Sequence, residues 1–259
     1  MKKSGGLNMN TYPRVTLPDG VILYKLFKIR RQVMCGRTLI GESRAMAAKA
    51  GLILGGEAKE KDTNRPPGTD MPVILDARPG KLHYVKWGLI PSFSVETPKF
   101  ATTYCRIETM HALPTYKNLI GRRHCVFVVE GFYEWDRSST QKQPYFFERK
   151  DEALMLIAGF WDSWKDPKTG IVIPSCTMIM QPANEFMSKI HDRMPCILSQ
   201  AESAIWLDRE LPSRERLTVL HPVNNDLLKG WQVDKKINNA RNKDEDNNKP
   251  SGPDLTLFN

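Results

Sequence analysis

Cys35 follows a methionine in the segment Met34-Cys35-Gly36-Arg37. A cysteine at the start of a chain carries a thiol and an α-amine, with pKa values of about 8.5 and about 7.7–8.0 in model peptides. Together these groups can condense with an aldehyde and close a five-membered thiazolidine ring. An internal cysteine cannot do so, because its nitrogen is an amide. Cys35 is therefore a candidate nucleophile of the mature N-terminus, and the alternative is one inert cysteine among five.

Glu134 is a candidate for proton transfer. It lies between Tyr133 and Trp135, just after the apolar run 125–129, which predicts a buried strand. Desolvation at the end of such a strand raises the pKa of a carboxyl group toward the range that suits general acid–base catalysis. The alternative is a solvent-facing position in an alternating strand.

His191 is a second candidate for proton transfer, followed by Asp192 and Arg193. A single histidine is more often structural than catalytic. A carboxylate and a guanidinium follow in the same turn, so a functional role and a structural one both stay open on the residues alone.

The distribution of charge matters more than its total. The chain has 259 residues and a net charge of +9. Residues 1–33 contain seven Lys or Arg against one Asp, which accounts for +6 and leaves +3 for the rest. A mildly basic body is compatible with nucleic-acid binding, but a localised basic patch would be stronger evidence.

The five cysteines are widely spaced and contain no CxxC pair, so the sequence does not predict a zinc site or a redox motif. Together with the lack of a clear secretory signal, this favours a reducing, cytoplasmic environment. No apolar run is long enough to cross a bilayer.

The chain is expected to divide into three parts. Residues 1–34 are interpreted as a leader that is removed or as a mis-assigned upstream extension, with Met34 the true initiator in the second and favoured case. Residues 35–242 form the folded body, and the polar residues 243–259 are expected to be disordered.

The body is predicted to be rich in strands and to contain short helices. The predicted strands are 72–75, 81–89, 125–129, 145–148, 154–161 and 175–181. The predicted helices are 42–52, 110–119, 183–190, 199–207 and a short one near 213–217, with a capping box at Ser199 and Glu202.

Several separated stretches occur together in one order. They are Met34-Cys35-Gly36-Arg37, the turn 64–68 (NRPPG), 87–93 (WGLIPSF), 105–109 (CRIET), 130–135 (EGFYEW), 191–195 (HDRMP) and 237–242 (INNARN). This ordered set resembles the SOS response-associated peptidase (SRAP) family. The resemblance covers about residues 35–242.

The resemblance implies a single α+β domain with a strand-rich, barrel-like core flanked by short helices, and with a basic groove. Family members bind single-stranded DNA and react with abasic sites. Their N-terminal cysteine attacks the ring-opened sugar aldehyde, and a thiazolidine DNA–protein crosslink protects the lesion. The resemblance implies no cofactor, no metal and no membrane association, a monomer, and a cytoplasmic protein that is nucleoid-associated when bound to DNA.

The family's functional residues can be carried over to matching positions. Cys35 is the nucleophile, Glu134 assists opening of the sugar ring, and His191 transfers protons. The implied DNA-binding residues are Arg37, Arg106, Arg193, Pro67 and Trp87, the first three at phosphates and the last two stacking on or wedging against the DNA. From the residues alone, the aromatic and proline cluster 87–93 could be core or an apolar wedge against bases, and core is favoured.

Tyr104 is a departure, because the family usually has an asparagine there that helps to hold the sugar. A slower crosslink, an altered substrate or a partial loss of activity would follow. A weaker departure is Trp231-Gln232-Val233, where many members have a His- or Tyr-Pro-Val.

Two other functions remain open. A thiol autopeptidase could use Cys35, His191 and Glu134 to release residues 1–34. A non-covalent single-strand-binding module would retain the groove and have lost the chemistry.

Overall fold

The computed structural model describes residues 36–98, 102–136 and 142–255, and the backbone of two strands near the N-terminus. The chain divides into compact units at 1–33 and 34–259. In the first unit Arg14–Thr16 pairs antiparallel with Ile22–Tyr24. Cys35, and the residues of the expected leader outside these two strands, lie outside the described residues.

The elements are numbered in chain order. The strands are β1 (Arg14–Thr16), β2 (Ile22–Tyr24), β3 (Arg37–Ile40), β4 (Ile53–Leu54), β5 (Asp62–Arg65), β6 (Asp70–Leu75), β7 (Arg78–Trp87), β8 (Tyr104–Arg106), β9 (His124–Val129), β10 (Gly131–Trp135), β11 (Pro144–Arg149), β12 (Met155–Lys165), β13 (Val172–Pro182), β14 (Arg193–Pro195), β15 (Ile197–Leu198) and β16 (Leu228–Gln232). The α-helices are α1 (Ser43–Lys49), α2 (Pro114–Lys117), α3 (Glu185–Ser188), α4 (Gln200–Leu207) and α5 (Ser213–Arg216), and the 3-10 turns are Leu217–Val219, Asn225–Leu227 and Lys235–Asn238.

Five strands of the larger sheet close into a ring. Their order is β13, β12, β9, β6 and β7, and a parallel pairing of β7 with β13 completes the circle. Closure satisfies the hydrogen-bonding edges that an open sheet would expose. The predicted α+β fold with a strand-rich, barrel-like core is therefore confirmed.

β9 is the most completely buried strand of the barrel. All six of its residues, His124–Val129, are buried. One face points into the barrel and the other is covered by α4, whose Trp206 indole donates to the Cys125 carbonyl at 2.9 Å. This explains why its sequence is continuously apolar or aromatic rather than alternating.

α4 begins with the predicted capping box. The Ser199 hydroxyl accepts from the Glu202 N–H at 3.2 Å, and the Glu202 carboxylate accepts from the Ser199 N–H at 2.7 Å.

None of the helices among the described residues is long and apolar enough to span a membrane.

A second sheet packs beside the barrel, with the strand order β16, β11, β10, β3 and β5. Side chains on successive residues of β10 face opposite ways. Phe132 enters the main core, whereas Tyr133 joins a smaller core with Leu39, Phe146 and Ile237. Glu134, two residues after Phe132, therefore faces the barrel side.

The C-terminal segment 243–255 packs against the second sheet and corrects the expectation of disorder. Lys243 donates to Asp62 Oδ1 at 2.8 Å, and the buried Asn247 donates to the Thr63 hydroxyl at 3.0 Å. Asn64 donates from its amide to the carbonyls of Ile237, Asn239 and Asn242 at 3.2, 2.9 and 3.0 Å. Polar composition predicted a solvated tail, but the polar side chains of the segment bind polar groups of β5 instead. Residues 256–259 lie outside the described residues.

Candidate active site

Glu134 is buried, with only 1% of its surface exposed. β10 holds it from both edges, because β10 pairs with β3 on one side and with β11 on the other. The Trp135 N–H donates to Glu134 Oε1 at 3.2 Å. Glu134 is thus a desolvated carboxylate, and the alternative of a solvent-facing position is wrong.

His191 lies against Glu134. Its Nε2 is 3.7 Å from Glu134 Oε1, and its side chain is fully buried. The short helix α3 positions the ring, since the His191 N–H donates to the Met187 carbonyl at 3.0 Å. A distance of 3.7 Å exceeds a hydrogen bond, but contacts of this kind often tighten when a substrate binds.

The other ring nitrogen of His191 has two neighbours. Nδ1 accepts from the Arg193 N–H at 2.9 Å and lies 3.1 Å from Asp192 Oδ1. In the neutral ring, Nδ1 accepts and Nε2 carries the proton toward Glu134. In the charged ring, Nδ1–H can donate to Asp192 instead. Both charge states thus have a partner at Nδ1, as a proton shuttle requires.

Arg193 and Arg106 flank the C-terminal end of β13. Arg106 is paired with Met180, and Arg193 with Pro182. Arg193 forms an ion pair with Glu108, a residue that the sequence reasoning did not assign to the site. No local pattern could have revealed this pair, because the two residues are 85 positions apart.

Arg37 and Tyr104 approach one another. Burial lowers the pKa of Arg37, and the nearby Tyr104 acts in the opposite direction. Arg37 Nη1 donates to the Gly36 carbonyl at 2.7 Å. The Tyr104 ring packs edge-on against Trp87 with the centroids 5.7 Å apart. Tyr104, which replaces the expected asparagine, therefore lies beside both Arg37 and Trp87.

Trp87 does not lie where it could stack on DNA. Its side chain is completely buried, and its indole N–H donates to the Thr103 carbonyl at 3.1 Å. As the last residue of β7, it points into the barrel, where it also contacts Phe127. The implied DNA contact of Trp87 is wrong in this structure.

Pro67 lies in the turn after β5 and is partly exposed. β5 pairs with β3, with Arg65 opposite Thr38. The turn therefore lies near the start of β3. Gly68 has φ of +86°, a left-handed conformation that glycine adopts without strain, and it allows the chain to reverse toward β6.

The four cysteines in the described part of the chain are poor nucleophiles. They are Cys105, Cys125, Cys176 and Cys196, all free and buried. Burial raises the pKa of each thiol above its usual value. At neutral pH these groups remain protonated, so a reactive thiolate is not expected at any of them.

No cluster of three or more metal-ligating side chains occurs among the described residues. Contacts link Glu134 to His191, His191 to Arg193 and Arg193 to Glu108. Arg106 lies on β8, which pairs with the same strand β13, and Arg37 lies near Tyr104. Cys35 cannot be placed, because it lies outside the described residues.

Comparison with protein families matches residues 34–240 to the SOS response associated peptidase (SRAP) model. Among similar proteins, the abasic site processing protein HMCES of Xenopus tropicalis is 32% identical over 212 residues, which cover 69% of this chain and 63% of that protein. The abasic site processing protein YoaM of Bacillus subtilis is 30% identical over 190 residues, covering 72% of this chain and 83% of YoaM.

Solved structures show the same fold. A protein from Bacteroides thetaiotaomicron superposes with a TM-score of 0.77 at 21% identity, covering 84% of this chain and 99% of that one. A protein from Bordetella bronchiseptica gives a TM-score of 0.65 at 26% identity, covering 77% of this chain and 100% of that one.

Proposed function

Because this chain belongs to the SOS response associated peptidase (SRAP) family, we propose that it processes abasic sites in single-stranded DNA. The relatives described above are named as abasic site processing proteins. The observation that carries the proposal is the buried pair of Glu134 and His191, 3.7 Å apart, with arginines around it. The product is a thiazolidine crosslink formed by Cys35 when Cys35 is the first residue of the chain.

Chain connectivity supports this role for Cys35. In the antiparallel pairing of β3 with β10, Arg37 lies opposite Tyr133. Continuing that register by one residue sets Gly36 opposite Glu134. Cys35 is covalently joined to Gly36, and consecutive Cα atoms are about 3.8 Å apart. Gly36, the residue that follows Cys35 in the sequence, therefore lies at the level of Glu134 in this pair of strands.

The chemistry needs proton transfers at each step. The abasic sugar is mostly a closed hemiacetal, so Glu134 removes the hydroxyl proton and a proton is returned to the ring oxygen as the ring opens. The Cys35 amine adds to the aldehyde carbon, and water leaves to give a Schiff base. The Cys35 sulfur then adds to the imine carbon, the thiol proton passes to nitrogen, and the thiazolidine ring closes. His191, with a proton on Nε2, donates and accepts protons in these steps.

The arginines bind the DNA backbone. Guanidinium groups pair with phosphate oxygens in a bidentate manner. Arg106 and Arg193 flank one end of β13, and Arg37 begins β3, so their charges surround the acid–base pair. The ion pair with Glu108 holds Arg193 in place before DNA binds.

A second candidate function uses the same groups. In this reaction the Cys35 sulfur attacks the Met34 carbonyl, the acyl group passes from nitrogen to sulfur, and water hydrolyses the thioester, with Glu134 and His191 transferring the protons. Release of residues 1–34 would expose the amine that the crosslink requires, so this autopeptidase activity and the crosslink are compatible.

The test uses protein that begins at Cys35 and a single-stranded oligonucleotide with one abasic site. We expect an adduct that survives denaturing electrophoresis and is abolished by Cys35→Ala. Cys35→Ser is the matched variant, and it should give no stable adduct. Salt-dependent DNA binding without any adduct would overturn the covalent proposal and favour a non-covalent binding module.

A further inference from the structure

A cavity on another part of the molecule is lined by neither Glu134 nor His191. Its volume is about 560 Å³. We call it the arginine pocket, defined by Arg122, Arg123 and Arg209 with Ser92, Phe93 and Asn118. Arg122 and Arg209 are exposed, and none of the three arginines forms an ion pair with a carboxylate of the described residues.

The pocket has a net positive charge. Asp162 is the only carboxylate among the described residues that line it. Both oxygens of Asp162 are already engaged, since they accept from the Ser92 N–H at 2.7 Å and the Ser163 N–H at 2.8 Å. The three guanidinium groups are therefore available to an anion from solvent.

The main chain that carries two of these arginines is held at both ends. The Gly121 carbonyl accepts from the buried Arg216 at 3.3 Å, and the Arg123 carbonyl accepts from the Trp161 N–H at 3.0 Å. The Arg123 guanidinium also lies over the Trp161 ring, 4.4 Å from its centroid. A ligand thus meets a largely preformed site and loses little entropy in ordering it.

We propose that the arginine pocket binds phosphates of the same DNA strand, at a distance from the abasic site. Two observations favour DNA over a small anion. Phe93, which is 61% exposed, offers a ring on which a base can stack. The single turn of α2 separates the pocket from the candidate active site, since Asn118 follows α2 and Tyr116 within it donates to the Tyr104 carbonyl at 3.0 Å. This inference rests on the proposed function for the identity of the strand.

The test compares two double variants that remove equal charge. Arg122→Ala with Arg209→Ala removes the exposed arginines of the pocket. Arg44→Ala with Arg78→Ala removes two exposed arginines elsewhere and is the control. The probe is an undamaged single strand of about 20 nucleotides, longer than the roughly 4–16 nucleotides that one OB fold covers. Fluorescence anisotropy at several salt concentrations gives both affinity and salt slope.

We expect the pocket variant to bind this strand about tenfold more weakly, with its salt slope reduced by about 1.4, or about 0.7 per lost phosphate contact. The control should match the wild type. Wild-type affinity and slope in the pocket variant would overturn the inference, as would equal losses in both variants.

The covalent reaction separates this inference from the proposed function. Binding of undamaged DNA does not require the Cys35 amine. Weaker binding of this DNA by the pocket variant, with no adduct on abasic DNA, would therefore refute the proposed function and support the inference. If an adduct forms on a short abasic strand of about 4 nucleotides and the pocket variant binds the long strand as tightly as the wild type, the inference is refuted and the proposed function is supported.

Discussion

Burial distinguishes Glu134 and His191 from the other acidic and histidine side chains near the site. Glu134 is 1% and His191 2% exposed, whereas Asp192 presents 67% of its side chain to solvent. A carboxylate and an imidazole taken out of water together exchange protons with a substrate rather than with bulk solvent. Asp192 is better placed to respond to the charge of His191 than to touch the reacting atoms.

Glu134→Gln and His191→Asn should each slow crosslink formation by about 10²–10⁴-fold, because each removes a proton carrier while nearly keeping its shape. The measurement is the single-turnover rate of adduct formation by protein that begins at Cys35. Glu60→Gln, at an exposed glutamate, is the control and should react at the wild-type rate. Unchanged rates in both site variants would mean that the pair is structural.

At the scale of elements, Asn64 in β5 fastens the C-terminal segment to the second sheet. It is fully buried and donates to three carbonyls of that segment. β5 also borders β3, the strand that carries Gly36 and Arg37 to the candidate site. The segment therefore supports the edge of the sheet that contains β3.

Asn64→Asp should lower the free energy of unfolding by about 2–5 kcal/mol, because it replaces an amide donor with a buried carboxylate facing carbonyl oxygens. Urea unfolding of the chain that begins at Cys35 measures this. Asn239→Asp is the matched control, since its exposed side chain only accepts a bond from the Arg241 N–H. Equal stability of both variants would show that the segment does not support the fold.

His124 joins β9 to α4. Its ring stacks on Trp206, 3.8 Å between centroids, and Nε2 accepts from the Gly121 N–H at 2.8 Å. Burial, with the nearby Arg216, lowers the pKa of His124 from 6.5 to about 3. Between these two values the unfolded chain binds more protons than the folded one. Stability should therefore fall as the pH decreases from 6.5, by up to about 1.4 kcal/mol per unit.

Urea unfolding between about pH 4 and about pH 8, a range that includes most of this window and neutral pH, tests this dependence. His124→Gln should be less stable at neutral pH and should show a shallower loss of stability on acidification. His111→Gln, at an exposed histidine, should follow the wild-type curve. A curve for His124→Gln parallel to that of the wild type would assign the acid sensitivity to other groups.

Local patterns predicted local structure well. The apolar run of β9 and the capping box of α4 were both correct, because hydrophobic patterning and capping act over a few residues. The position of Trp87 depends on closure of the barrel between β7 and β13, and the order of the C-terminal segment depends on Asn64. Neither the closure of the barrel nor the contacts of Asn64 can be predicted from the neighbouring sequence. The ordered motifs identified Glu134 and His191, but their 3.7 Å contact is a product of the tertiary fold.

At the scale of the whole molecule, the position of charge matters more than its sum. Of the net charge of +9, residues 1–33 carry seven Lys or Arg against one Asp. The remainder is only mildly basic, yet it places arginines at the end of β13 and in the arginine pocket. Affinity for DNA should follow these clusters, because phosphate contacts act locally at physiological salt.

In the proposed reaction, the residues ahead of Cys35 determine whether the chain can form the crosslink. In the full 259-residue chain the nitrogen of Cys35 is an amide, so it can form neither the Schiff base nor the thiazolidine. Full-length protein should give no adduct with abasic DNA when first mixed. A protease site inserted before Cys35 should restore the reaction on cleavage, and Cys35→Ala in the same background should stay inactive.

Intact mass, followed over hours, distinguishes slow self-cleavage from stability of the full chain. Loss of residues 1–34 in the wild type but not in Cys35→Ala would establish the autopeptidase, whereas an immediate adduct with the uncleaved chain would refute the need for a free amine.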